Sequence, residues 1–286
     1  MRIRLLLAML LLGGCKPAPT ATEQSRKLSV VATAYPLADI ARRVGDGLVE
    51  VSWVVEAGQS LRGVRPDVEL RNRLRSADLV LMGDITENWA TEGSGSGEHY
   101  SRILRLEALP AAREAAQPGI LWLDPTIMKE AIGDLVMRLR VLRAKASADI
   151  TARGDELIGE INAAVQQYQP GLQKAENRRI LVLNDDFSPF LKRFSFQPIQ
   201  TVDVQPTRLT DENIRLIQYV SRQNNTSKLV IPADTPIAAV ADLRVRTGLQ
   251  LVLLDALGTS AAGGRNSYIE LLKWDLEQLT KATMLQ

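Results

Sequence analysis

The polar residues with the clearest capacity for chemistry come directly after short apolar runs. Asn184 and Asp185 follow one such run, and Asp255 follows another. Segments 54–66 and 121–125 end in a similar way. A short apolar run that stops at polar residues is typical of a buried strand. In open α/β sheets, ligand-binding groups lie just beyond the carboxyl ends of the strands, which is where these polar residues would stand. We expect the four segments to line one cleft, as in a small-molecule binding protein.

Residues suited to catalysis are scarce. The chain has one cysteine, Cys15, and one histidine, His99, which stands just after a Gly/Ser-rich segment at 92–97 and is expected to be solvated. Ser188 and Ser260 have no recognisable general base beside them. The sequence therefore predicts that the protein is not an enzyme.

Composition narrows the classes further. The chain has 286 residues, of which 45% are hydrophobic and 24% charged, and these values are ordinary for a globular protein with two domains. A formal charge of +2 is too small to favour nucleic acid as a partner. We expect a monomer that does not bind nucleic acid.

The N-terminal segment is predicted to be a lipoprotein signal peptide. Arg2 and Arg4 precede an apolar run at 5–12 that is too short to span a bilayer. Gly-Gly-Cys follows, which resembles a bacterial lipobox, so residues 1–15 are expected to end in a lipidated Cys15 that anchors the chain to a membrane. Residues 16–27, rich in Pro, Ala and Thr, are predicted to form a flexible tether.

Strand-like and helix-like segments alternate over residues 28–125. Three apolar runs predict strands: 28–33, 48–55 and 79–82. Apolar residues recur at helical spacing in the two segments between them, 37–44 and 68–74. A β-α-β-α-β order predicts a mostly parallel sheet with right-handed crossovers.

Residues 126–175 have almost no strand signal and are predicted to form a long linking helix, with a possible break at Gly154 and an end at Pro170. A second alternating unit covers 176–286, in which Thr210 is predicted to cap a helix. Its predicted strands are 179–183, 199–204, 228–232 and 251–254. The predicted fold class is α/β: two lobes, each a mostly parallel sheet flanked by helices, joined by a long backbone helix, with the ligand cleft between the lobes.

Five segments in this order resemble the solute-binding proteins of zinc and manganese ABC transporters. They are the opening strand and helix at 30–41, Trp-Leu-Asp-Pro at 122–125, Asn-Asp-Asp-Phe at 184–187, Leu-Asp-Ala-Leu-Gly at 254–258 and the closing helix at 268–272. The resemblance implies two lobes joined by a rigid helix and an ABC-transporter permease as partner. It also implies a location in the bacterial cell envelope, on the periplasmic or extracellular face.

The resemblance also implies where a metal site would lie. Members of this family hold zinc or manganese with three histidines and one carboxylate, and the corresponding positions here are Arg62, Ile120, Asn184 and Asp255. Three further residues are expected to border the cleft: Tyr35, Asp185 and Trp122.

These substitutions predict that the usual metal site is lost. Isoleucine has no donor atom, and the permanent positive charge of Arg62 would repel a cation. Asp255 alone remains as a metal ligand, and no cofactor is expected. Three alternatives stay open. The cleft could bind a ligand with a carboxylate or phosphate group; an Arg62–Asp255 salt bridge could close the cleft of a non-transport surface lipoprotein, a scaffold or interaction module; or Asp185, Asp186 and Asp255 could hold a harder cation.

Overall fold

The computed structural model describes residues 26–56, 64–83, 89–90, 102–115, 118–258 and 265–284. The first lobe has a parallel sheet with the strand order β2-β1-β3-β4. Its strands are β1 (Leu28–Ala34), β2 (Val49–Val55), β3 (Leu79–Met82) and β4 (Ile103–Arg105). Its helices are α1 (Tyr35–Gly45), α2 (Val68–Ser76) and α3 (Pro110–Ala115). The short elements β4 and α3 had no sequence prediction.

Two helices follow where one was predicted. They are α4 (Pro125–Leu142) and α5 (Ser147–Gln173), joined by a 3-10 turn at Ala144–Ala146. Arg140 donates a hydrogen bond to Ser147 beside the turn. Lys129, about three turns earlier in α4, donates to Asn162, which lies about four turns later in α5. The two helices therefore run antiparallel.

The predicted break at Gly154 is wrong, because Gly154 lies inside α5. A Cβ there would sit 2.4 Å from a methyl carbon of Val136 in α4, so the glycine permits close helix packing rather than a turn. Pro170 also lies inside α5, which continues to Gln173. The helix thus continues for three residues beyond the proline, although proline lacks the N–H that would bond the carbonyl four residues earlier.

The second lobe repeats the architecture of the first. Its parallel sheet has the order β6-β5-β7-β8 and the strands β5 (Arg179–Val182), β6 (Gln197–Gln200), β7 (Lys228–Pro232) and β8 (Gln250–Leu254). Its helices are α6 (Ser188–Arg193), α7 (Asp211–Gln223), α8 (Ile237–Thr247) and α9 (Tyr268–Met284). The predicted cap at Thr210 is confirmed, since its side chain and that of Asn213 form a reciprocal capping box. Strand β6 begins and ends earlier than the predicted 199–204.

Helix α5 is the element that joins the lobes. In its first half, Arg153 donates to the Val44 carbonyl at the end of α1, at 2.9 Å. Near its other end, Gly171 packs against Thr280 of α9, where a Cβ would approach a methyl carbon to 2.5 Å. One continuous hydrophobic cluster includes buried residues of both lobes and of the α4–α5 hairpin. The α/β fold with two lobes and a long connecting helix is therefore confirmed.

No helix in the described part of the chain has the length and hydropathy needed to cross a membrane.

Candidate functional site

Segment 118–124 of the first lobe contacts the turns that follow β5 and β8 of the second lobe. The backbone N–H of Ile120 donates to the carbonyl of Asp186 at 2.8 Å. The indole Nε1 of Trp122 donates to the carbonyl of Ala256 at 2.7 Å. The structure therefore brings together three of the four segments that were expected to line a cleft.

Asp255 comes directly after β8, and both of its carboxylate oxygens have partners. Its Oδ1 accepts hydrogen bonds from the backbone N–H groups of Leu257 and Gly258, each at 3.0 Å. Its Oδ2 accepts from Nε of Arg265 at 2.5 Å, which makes a salt bridge. The Arg265 guanidinium carbon lies 4.5 Å from the centre of the Trp274 ring, which positions the cation from its other side.

Asp255 therefore pairs with Arg265, a residue ten positions later in its own lobe. The partner predicted from the sequence is Arg62. Arg62 lies outside the described residues, so its part in that salt bridge stays a prediction.

Ile120 is buried in the main hydrophobic cluster. Gly119, immediately before it, has φ +131°, and a Cβ there would lie 2.3 Å from the carbonyl oxygen of Asp185. This close backbone approach requires glycine. The segment is thus pressed against the turn after β5, with an apolar side chain where the resemblance implies a ligand.

Asn184 and Asp185 shape the turn that begins α6. The Asn184 Oδ1 accepts from the Asp186 N–H at 3.1 Å, which is an Asx-type turn. The Asp185 carbonyl accepts from the Ser188 N–H at 2.9 Å, and its Oδ1 accepts from the Ser188 hydroxyl at 3.3 Å. Both side chains have roles in local structure.

Tyr35 and Trp122, the other expected neighbours of the cleft, link the two lobes. Trp122 is fully buried, and its hydrogen bond to Ala256 falls beside Asp255. The Tyr35 hydroxyl donates to the carbonyl of Asn266 at 2.6 Å, and its ring contacts Trp53 edge-on at 5.4 Å. These aromatic side chains are core residues with one polar atom at the junction between the lobes.

Two buried carboxylates strengthen that junction. Asp124 caps α4 through the Thr126 N–H at 2.8 Å and also accepts from Arg193 of α6 at 2.8 Å. Asp39 of α1 accepts from the Tyr268 N–H, at the start of α9, at 2.9 Å. Burial raises the pKa of Asp39 above its usual range. The lobes are therefore held together by hydrogen bonds and an ion pair as well as by the shared core.

A second carboxylate, that of Asp275, accepts a hydrogen bond from the backbone of Asp255. Asp275 of α9 is fully buried, and its Oδ1 accepts from the Asp255 N–H at 2.8 Å. Burial raises the pKa of Asp275 well above its usual range. Asp275 Oδ2 and the buried Tyr268 hydroxyl have no hydrogen-bond partner among the described residues.

Arg265 and Asp275 are not among the site residues predicted from the sequence. Asp275 carried a signal, because it falls on the apolar face of α9 with Leu271, Leu272 and Leu279, where an aspartate is unexpected. Arg265 follows a glycine-containing loop and had no comparable signal. Cys15 and His99 lie outside the described residues, so lipidation at Cys15 stays a prediction.

The donor atoms of Asn184 and Asp255, two of the family metal positions, already take part in hydrogen bonds. The described residues contain no group of three or more His, Cys, Asp or Glu side chains that could hold a metal ion. Zinc sites need about three protein ligands even when one position stays open. Of the three family positions in view, Ile120 offers no donor, while the Oδ1 of Asn184 and both oxygens of Asp255 already accept hydrogen bonds.

Comparisons with known proteins agree on the fold. Many solved structures match, and three of them illustrate the likeness. The metal-dependent lipoprotein YcdH of Bacillus subtilis is 14% identical over 91% of this chain and 100% of its own, with a TM-score of 0.75. The corresponding values are 14%, 90%, 100% and 0.73 for a periplasmic metal-binding protein of Candidatus Liberibacter asiaticus, and 16%, 90%, 99% and 0.72 for the periplasmic zinc-binding protein TroA of Treponema pallidum. A search of curated protein sequences finds no match.

The sequence profile of one family, described as zinc-uptake complex component A, periplasmic, matches residues 30–282. That span covers both sheets, the α4–α5 hairpin and nearly all of α9. The chain therefore belongs to this family, the periplasmic solute-binding proteins of the zinc- and manganese-importer type.

Proposed function

We propose that this chain is a lipid-anchored, extracytoplasmic solute-binding protein whose cleft no longer takes zinc or manganese in the way usual for its family. The observation that carries the proposal is the salt bridge between Arg265 and Asp255. It places a permanent cation on the one carboxylate that remains at the four family positions. A divalent ion would have to displace that guanidinium before it could reach Oδ2.

The energetics favour the guanidinium over a metal ion. Asp255 and Arg265 have 12% and 22% of their side chains exposed, so solvent screens the pair only in part. A bound metal would leave Arg265 as an unpaired cation within a few ångström, and the two charges would repel. Imidazole ligands would offset this cost in an ordinary zinc site, but Ile120 and Asn184 replace them.

A second candidate function is that of a non-transport surface lipoprotein, a scaffold or interaction module. The direct contacts between the lobes favour it: Ile120 with Asp186, Trp122 with Ala256 and Arg193 with Asp124. These contacts join the two lobes directly, without a bound solute between them. In this candidate the lobes stay closed and no permease is required.

In both candidates the chain is expected to reach the membrane through a lipid on Cys15. The tether predicted at 16–27 is shorter at its end, because Arg26 forms a salt bridge with Asp78 of the first lobe. In the first candidate it delivers a solute to an ABC-transporter permease. Co-purification of this chain with a permease from a neighbouring gene distinguishes the two candidate functions. Retention of the chain by the permease supports the receptor, and its absence supports the non-transport lipoprotein.

The metal proposal is tested by calorimetric titration of residues 16–286 with zinc and with manganese after removal of bound metal by a chelator. We expect no saturable heat and no thermal shift with either ion. Tight binding of one ion per chain would overturn the proposal.

A matched variant shows whether the family positions are assigned correctly. Arg62→His, Ile120→His and Asn184→His together restore three imidazoles around Asp255, and zinc binding is then expected. The same triple variant with Asp255→Asn in addition should bind zinc at least about tenfold more weakly, since it lacks the carboxylate ligand. Circular dichroism of each variant confirms that it is folded.

A further inference from the structure

A second candidate site lies in the C-terminal lobe, at the edge of the sheet opposite Asp255. Asp255 follows the carboxyl end of β8, whereas Lys228 is the first residue of the parallel neighbour β7. A cavity of about 560 Å³ opens beside Lys228. This volume is in the range of sites for small molecules. Its lining residues come from the segments before β5 and β7 and from the ends of α7 and α9.

Lys228 is the unusual residue of this cavity. It is only 7% exposed, and among the described residues its Nζ has one hydrogen-bond partner, the carbonyl oxygen of Asn177 at 3.5 Å. No carboxylate of the described residues forms a salt bridge with it. Burial lowers the pKa of this ammonium group. A buried cation without an anionic partner is costly, so an anion in the adjoining cavity would relieve that cost.

The walls beside Lys228 are fixed by hydrogen bonds. The Asn177 side chain donates from Nδ2 to the Asn225 carbonyl at 2.5 Å and accepts from the Arg179 N–H at 3.0 Å. The Ser221 hydroxyl donates to the Thr226 carbonyl at 2.7 Å, and the Thr226 hydroxyl donates to the Arg179 carbonyl at 2.7 Å. The loop that carries the cavity is therefore organised without a ligand, which lowers the entropic cost of binding.

The remaining lining groups suit an anion. Arg222 adds a second cation at the exposed rim, and Ser227 adds a hydroxyl donor. Among the described lining residues Glu176 is the one carboxylate, and it is exposed. Two cations and the Ser227 hydroxyl thus line a volume that has one exposed carboxylate at its border.

We propose that this cavity is a binding site for a small solute that carries an oxyanion, a carboxylate or a phosphate group, with Lys228 as its buried counter-ion. The ammonium holds the oxyanion at the floor of the cavity, and Arg222 contacts it or a second polar group from the rim. Charge-assisted hydrogen bonds of this kind are short and stronger than those between neutral groups. The site shares no residue with the cleft around Asp255, so it stands independently of the proposed metal loss.

The test is a titration of residues 16–286 with inorganic phosphate and, separately, with succinate, at constant ionic strength set by chloride. Calorimetry and thermal denaturation report binding. We expect saturable binding of at least one probe, and the probe that binds more tightly identifies the oxyanion class. Lys228→Met should weaken that binding about tenfold or more, because the buried charge is lost.

Lys145→Met is the matched control, since it removes an exposed lysine from the turn between α4 and α5, far along the chain from the cavity. It should bind as the wild type does. Arg222→Met, at an exposed position, weakens binding without touching the core and serves if Lys228→Met does not fold. Absence of saturable binding for both probes would overturn the proposal. So would equal binding by the wild type, Lys228→Met and Arg222→Met.

Discussion

Replacing Arg265 with methionine removes the guanidinium from Asp255 while keeping most of the apolar stem that the arginine contributes. Asp255 then keeps two backbone N–H donors, from Leu257 and Gly258, but no cation. The converse change, Asp255→Asn, keeps an acceptor for those N–H groups and leaves Arg265 without its anion. The two single variants and the double variant form a thermodynamic cycle that isolates the pair.

The expected magnitude follows from the burial of the pair. Removing one partner of a fully buried salt bridge costs about 3–5 kcal/mol. Here the two side chains are 22% and 12% exposed and the carboxylate keeps its backbone donors, so the cost should be smaller. We expect Arg265→Met to lower the free energy of unfolding by about 2 kcal/mol and the cycle to give a coupling of about 1–2 kcal/mol.

Urea denaturation followed by circular dichroism measures the four free energies of unfolding. The pair Lys281–Glu277 on the surface of α9 provides the control, because its side chains are 58% and 44% exposed. The same cycle there should give no more than about 0.5 kcal/mol. A coupling at Arg265–Asp255 as small as in this control would refute the reasoning, because the carboxylate would then not depend on the guanidinium.

Two further predictions concern the junction between the lobes. Gly119→Ala should lower the free energy of unfolding by more than about 2 kcal/mol, because its φ of +131° is unfavourable and its Cβ would meet the Asp185 carbonyl. Gly159→Ala is the control, because Gly159 lies inside α5 and a Cβ there would meet no atom within 4 Å. This change should raise the free energy of unfolding by about 0.5–1 kcal/mol. Equal effects of the two substitutions in urea denaturation would contradict the close approach at Gly119. Because burial raises the pKa of Asp39, the folded chain keeps this proton to a higher pH than the unfolded chain does. The variant Asp39→Asn retains an acceptor for the Tyr268 N–H but does not titrate. The free energy of unfolding of the wild type, relative to that of this variant, should therefore fall as pH rises from about 4. A difference between the two proteins that is independent of pH would refute this.

Much of the fold could be predicted because buried parallel strands have a strong sequence signal. Strands β3 and β7 have the predicted bounds, since both are apolar runs followed by polar or turn residues. Helix α7 was predicted from a local rule, the Thr210 cap. Strand β4 has three residues and one hydrogen-bonded neighbour, β3, so its signal was too short to detect.

The α4–α5 hairpin shows where local rules fail. Gly154 and Pro170 both disfavour a helix locally, yet both lie within α5. Gly154 is needed because Val136 of α4 packs directly on it, and this contact depends on how the chain turns at Ala144–Ala146. A tertiary contact of this kind cannot be derived from helical periodicity alone.

Asp255 shows the same limit at the candidate site. Its type and position are what a metal ligand would require, and the resemblance implied that role. In the structure Oδ1 caps the turn through Leu257 and Gly258, where Gly258 has φ +66°, and Oδ2 holds Arg265. An aspartate with these contacts has a structural reason to be present whether or not a metal binds. The presence of this carboxylate is therefore weak support for metal binding. Stronger support would be zinc binding by the wild type itself, without the imidazoles that the triple histidine variant supplies at the other three positions.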